Sequence, residues 1–117
     1  MSFEAGVRQT DGLAVIDLHG EIMAGADDAL MGGYAQATTG NASPVLLNFA
    51  DVSYINSTGI ALIVGLLAEA RGSDRRVLVS GLTDHYKDIF EITRISDFVT
   101  MCDDEQSAAA AAKSVST

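Results

Sequence analysis

Asn48-Phe-Ala-Asp-Val-Ser-Tyr-Ile-Asn-Ser-Thr-Gly-Ile-Ala-Leu-Ile-Val-Gly65 passes from one periodicity to another. It opens on the end of a short apolar run, Val45 to Phe49, which fits a strand buried on both faces in a mixed or parallel sheet. Asp51 to Asn56 reads as a turn. From Ser57 to Arg71 the pattern is too long for an ordinary strand, and Gly72 resembles a C-terminal stop, so this apolar run is expected to be helical.

The first turn of that helix holds Asn56, Ser57, Thr58 and Gly59. Unpaired N–H groups and the positive end of the helix dipole make it a place where negative charge is tolerated. Two readings follow. Asn56 or Ser57 is an N-cap, worth about 1 kcal/mol. Alternatively, Ser57 is a phosphoacceptor, gaining about 1.5 to 2 negative charges without loss of the helix. Along the helix, Ile60, Ile63, Val64 and Leu67 form one stripe, Leu62 and Leu66 fall on another side, and Ala61, Gly65 and Ala68 are small. Such a helix is either wholly buried or offers a partly exposed patch to a partner or a second copy.

Outward from this stretch the chain alternates. Phe3 to Gln9 and Leu13 to Gly20 flank Asp11-Gly12 and read as an antiparallel hairpin, with Ala14, Ile16, Leu18 and Gly20 facing the core. Ala26 to Ala37 is a helix weakened by Gly32-Gly33, followed by a polar break from Thr38 to Ser43 and by Pro44 opening the next strand. Arg75 to Ser80 is a strand, Asp84 to Ile92 a helix, Phe98 to Met101 a last strand and Asp103 to Lys113 a closing helix. Ser114 to Thr117 is expected to fray. The order is β-β-α-β-α-β-α-β-α, a single α/β domain over residues 1–117 with a mixed sheet of about five strands and four or five helices.

Composition narrows the function. Apolar residues make up 48% and charged residues 20%, enough hydrophobic burial for independent folding. Seven Lys and Arg against sixteen Asp and Glu give a net charge of -9, which disfavours direct binding to nucleic acid or anionic lipid and favours a basic patch on a protein partner. Cys102 is the only cysteine, which excludes an internal disulfide and a multi-thiolate zinc site. With no export signal at Met1 to Gly12 and no apolar run long enough to span a bilayer, the expected location is cytoplasmic, without membrane insertion.

The quoted segment from Asn48 to Ile60 resembles the strand, loop and helix-start motif of the anti-sigma-factor antagonists that share the STAS domain. Leu18-His19-Gly20-Glu21-Ile22 is similar to the end of that family's second strand, and the element order fits over nearly the whole chain. The resemblance implies a STAS-like fold and no cofactor or metal. It implies partner switching, with Ser57 phosphorylated by an anti-sigma factor that is itself a serine kinase and restored by a serine phosphatase. Asn56, Thr58, Gly59, Ile60, Leu62 and Leu66 would form the switch surroundings, and a homodimer is a further use of the same helix. Two departures stand out: Asn48 and Asn56 occupy positions where the family usually has aspartate.

The remaining polar residues do not assemble an enzyme. His19 and His85 have no second histidine at ligand spacing and read as surface or satisfied side chains, Asp27-Asp28 and Asp103-Asp104-Glu105 as helix-start charges, Cys102 as a small buried hydrophobe. Gly20, Gly25, Gly32 and Gly33 match no nucleotide-binding spacing. Two rival uses of the fold are a non-switching scaffold, in a stress-signalling assembly or a lipid-transport ATPase, and a ligand-binding module. The second requires a cavity beneath the helix from Ser57 to Arg71.

Overall fold

Val45, Leu46 and Leu47 are consecutive and all fully buried, although successive strand residues point to opposite faces. The sheet must therefore be covered on both sides. The computed structural model describes residues 3–10, 12–40 and 44–113. Its strands are β1 (Phe3–Thr10), β2 (Leu13–Ile22), β3 (Val45–Ile55), β4 (Val77–Ser80) and β5 (Thr100–Cys102). Its helices are α1 (Asp27–Thr38), α2 (Ser57–Gly72), α3 (Asp84–Ile92) and α4 (Glu105–Lys113), with a short 3-10 turn at Ile95–Phe98.

The five strands lie in sequence order, with β1 antiparallel to β2 and every later pair parallel. This is the expected mixed sheet. Thr10 pairs with Leu13 across the hairpin, whose Asp11 lies outside the described residues, as do residues 41–43 of the polar break and the terminus at 114–117.

On one face, Ile16, Leu18, Val45, Leu47, Phe49 and Val79 pack against Leu30, Ile63, Leu66 and Phe90 of the first three helices. Phe49 and Phe90 meet edge to face with centroids 5.8 Å apart, the arrangement favoured by ring quadrupoles. On the other face, Leu13, Val15, Leu46 and Leu78 lie under Ala108 of α4. The expectation that only the even-numbered residues of β2 face a core is corrected here. The small alanines of α4 let it lie close to the sheet and bury Leu13 and Val15 as well, while Asp17 stays partly buried and His19 exposed.

Other boundaries move for identifiable reasons. β3 continues through the supposed turn to Ile55, because the far half of β2 supplies a partner: His19 pairs with Asp51 and Ile22 with Ile55. The strand expected at Phe98 to Met101 begins at Thr100, since Phe98 closes the 3-10 turn. α4 starts at Glu105, not Asp103, and Asp104 Oδ1 accepts from the Ser107 N–H at 2.8 Å. That bond holds the Asp104 carboxyl below the usual carboxylate range.

A polar row continues the α4 face beyond its apolar part, where Asp17 stands beside Asn48 and Asn48 beside Ser80. Arg8 donates from Nε and Nη2 to the two Asp17 oxygens at 2.5 and 3.0 Å, and from Nη2 to Glu105 at 2.7 Å, tying β1, β2 and α4 together. The Asn48 amide donates to Asp17 Oδ1 at 2.8 Å, while its own Oδ1 accepts from the Ala50 N–H. An aspartate at position 48 would set a second carboxylate against Asp17, so asparagine suits this network. At Gly59 the constraint is steric: a Cβ there would lie 2.0 Å from the Ile22 carbonyl oxygen and 3.0 Å from Ile55 Cγ2.

Two predictions follow from these contacts. Gly59→Ala is expected to destabilise the protein by about 2 kcal/mol, because backbone has to move. Gly65→Ala, in the same helix but facing open space, is expected to stabilise it by about 0.5–1 kcal/mol. Urea unfolding of the two variants checks the opposite signs. Arg8, the main cause, pulls the Asp17 carboxyl below its ordinary range. Its contribution to stability is therefore complete above the unfolded carboxylate value near pH ~4 and lost as pH falls through the lower folded value. Asp17→Asn should cost about 1 kcal/mol at pH 7, a figure reduced for solvent screening, and the gap from wild type should close only below about pH 4. Thermal melts across pH 2–8 measure it.

Candidate functional site

β3 becomes α2 with a single residue between them. Ile55 ends the strand, Ser57 begins the helix, and Asn56 has extended backbone. Its main-chain N–H donates to the Ile22 carbonyl at 3.2 Å, while its side-chain Oδ1 accepts from the Gly59 N–H at 2.8 Å. One asparagine thus ends the β2–β3 pairing and caps α2.

The Ile22 carbonyl oxygen is also the atom a Cβ on residue 59 would strike. Gly59 is buried for that reason: the first turn of α2 rests directly on the backbone at the end of β2. The opposite side of the same turn carries Ser57 and Thr58, both exposed. With Asn56 serving as the cap, the Ser57 hydroxyl is left at the surface near the positive end of the helix dipole. The first turn of α2 contains no acidic residue.

A third element fixes this junction. The β3–β4 pairing runs only from Val45 to Asn48, so the backbone of Ile55 has no strand on that side. The buried Tyr86 of α3 substitutes for it, its hydroxyl oxygen accepting from the Ile55 N–H at 2.9 Å and lying 3.5 Å from the Ile55 carbonyl oxygen. Earlier along β3, Gly81 passes so close that a Cβ there would lie 2.6 Å from the Ala50 nitrogen. Sequence reasoning did not place Tyr86 at the site. The available signal was its position on a buried helix face, since a buried tyrosine hydroxyl needs a polar partner.

The remaining site residues divide. Ile60 and Leu62 are half-buried, each with part of the side chain at the surface. Leu66 is corrected: it is fully buried in the main core and cannot touch a partner. The buried side of α2 comprises Gly59, Ile63, Leu66, Leu67 and Ala70, whereas Val64, assigned to the same stripe as Ile63, is 47% exposed. Together with the exposed Ala61, Gly65 and Ala68 it gives α2 an outer face of small and apolar residues. His19 Nδ1 lies 3.2 Å from an Asp51 oxygen on the neighbouring strand, and His85 is exposed with its ring against Tyr86. Cys102 is half-buried at the sheet edge, and burial pushes its thiol up. Among the described residues no group of His, Cys, Asp and Glu is arranged to hold a metal ion, and no helix is long and apolar enough to cross a membrane.

The chain is similar to the anti-sigma-B factor antagonist of Staphylococcus aureus, at 34% identity over 55 residues, which covers 47% of this chain and 51% of the relative. The chain therefore spans about half the length of the curated relatives it matches. A solved anti-sigma factor antagonist from Mycobacterium paratuberculosis superimposes with a TM-score of 0.78 at 18% identity, covering 96% of this chain and 95% of that one. The Bacillus cell fate determinant SpoIIAA in its phosphorylated form superimposes with a TM-score of 0.68 at 18% identity, covering 92% and 98%. At these identities the superpositions speak to the fold. Residues 4–108, from β1 into α4, match the STAS domain, and with the five-stranded mixed sheet and its helices in the same arrangement the chain belongs to the STAS domain family.

Proposed function

We propose that the chain is a cytoplasmic anti-sigma-factor antagonist and not an enzyme. It binds an anti-sigma factor with serine kinase activity while Ser57 is unmodified, and phosphorylation of Ser57 releases it. The observation that carries this reading is the division of labour in the first turn of α2. Asn56 makes the capping bond, Gly59 makes the buried contact, and Ser57 is exposed with its hydroxyl outside both.

The chemistry is short. Ser57 Oγ attacks the γ-phosphorus of ATP held by the partner, the new O–P bond forms as the bond to ADP breaks, and the hydroxyl proton passes to a base. That base belongs to the kinase, because the residue beside Ser57 is the amide Asn56 and an amide cannot take a proton. The phosphoserine then lies at a helix start with no carboxylate in the first turn, so the fold tolerates it. The partner does not: added charge in a contact surface carries a desolvation penalty and repels acidic neighbours. Thr58, Ile60 and Leu62 supply the surrounding contact. A serine phosphatase, hydrolysing the ester with water, resets the surface.

Intact-mass measurement after incubation with ATP and a cognate kinase of the anti-sigma class tests the proposal. Wild type should gain one phosphoryl group and Ser57→Ala none, and Ser57→Asp should bind the kinase at least roughly tenfold more weakly, about 1.4 kcal/mol. No gain with a kinase shown to be active and to bind the protein would replace the switch with a permanent scaffold role.

A further inference from the structure

Beside α2, not beneath it, the surface is concave. The helix meets the segment from Thr93 to Phe98 across an open cleft of about 290 Å3, lined mainly by Val64, Leu67, Ala68, Ile95 and Phe98. Arg71 stands at its rim, with the guanidinium carbon 5.4 Å from the centre of the Phe98 ring. A second hollow of about 360 Å3 shares Leu67, Arg71 and Phe98 and continues towards Arg75 and Arg76.

The charge here runs against that of the whole chain. Arg71, Arg75, Arg76 and Arg94, four of the seven cationic residues in a protein of net charge -9, line the two hollows, with Asp74 the one carboxylate lining them. Arg94 donates to Asp97 at 2.6 Å and Arg76 to the Ala111 carbonyl at 3.1 Å. Arg71 has no ion-pair partner among the described residues, and its guanidinium is held over the half-exposed ring of Phe98. A cation fixed by an aromatic face keeps its N–H fork available for a carboxylate.

We propose that this cleft binds a small apolar carboxylate of the medium-chain fatty acid class, with the carboxylate on Arg71 and the chain against Val64, Leu67, Ala68, Ile95 and Phe98. The lining offers an alkyl chain contact on several sides, which a flat protein partner could not fill, and its volume lies at the small end of ligand sites. The guanidinium selects an anion, and the apolar wall adds contact for an alkyl chain that a compact anion such as phosphate lacks. At 1.5 Å rise per residue, Arg71 is roughly 21 Å along α2 from Ser57. The carboxylate end of the site therefore lies well away from Ser57, and binding there does not require Ser57 to be phosphorylated.

Amide NMR titration of the full chain with sodium decanoate, kept below its micelle concentration, tests this. The expected result is saturable shifts centred on Val64, Ala68, Ile95 and Phe98, weakened about tenfold by Arg71→Gln, with decanol binding unaffected by that change. Decyltrimethylammonium should bind wild type more weakly than decanoate. Ala68→Phe, checked for folding by circular dichroism, should abolish binding by filling the cleft. Arg71 is exposed, so Arg71→Gln keeps the test decisive if Ala68→Phe does not fold. Absence of saturable shifts, equal binding of decanoate by wild type and Arg71→Gln, or a dimer seated on this face that decanoate does not displace would each overturn the proposal.

Discussion

The position of the candidate site rests on the contact between the first turn of α2 and the carbonyl at the end of β2. The Ile22 oxygen accepts from the Asn56 N–H and leaves no room for a side chain on residue 59. These are two faces of one arrangement: the strand ends in a hydrogen bond and the helix begins in van der Waals contact with the same group. Once residue 59 must face inward, the 3.6-residue period turns Ile63, Leu66, Leu67 and Ala70 to the core and Ala61, Val64 and Ala68 to solvent. Burial of Ile63, Leu66 and Leu67, each worth about 1.5–3 kcal/mol, then holds the helix against the sheet.

That dependence explains what could be read in the sequence and what could not. The alternation of elements, the hairpin and the helix from Ser57 follow from local periodicity and turn residues, and the structure agrees. The face of α2 was hidden because its apolar residues run nearly all round: Val64 and Leu66 look alike in sequence, and only the Gly59 contact distinguishes them. The length of β3 was hidden because residues 50–55 mix polar and apolar side chains and pair with β2 on one side only. The burial of Leu13 and Val15 was hidden because it depends on an alanine helix more than ninety residues away, whose modest side chains gave little sign of a second core layer.

The polar row of Arg8, Asp17, Asn48 and Glu105 does for the α4 face what apolar packing does for the other. One carboxylate receives a guanidinium fork from one neighbour and an amide from the other, so the identity of residue 48 is linked to that of residue 17. The family's usual aspartate at position 48 would need different surroundings. Asparagine there is thus an adjustment of the sheet surface and bears little on the chemistry at Ser57, which lies in the first turn of α2, beyond the end of β3.

The contacts of Tyr86 and Gly81 along β3 have a consequence for solution behaviour. β4 ends level with Asn48, and the remaining length of β3 would otherwise show a bare row of amide and carbonyl groups on that side, the kind of edge that recruits strands from other chains. The tight pass of Gly81 at Ala50 and the Tyr86 hydroxyl at Ile55 close the two ends of that row. That stretch of β3 is therefore closed to strands from other chains although β4 stops short of it.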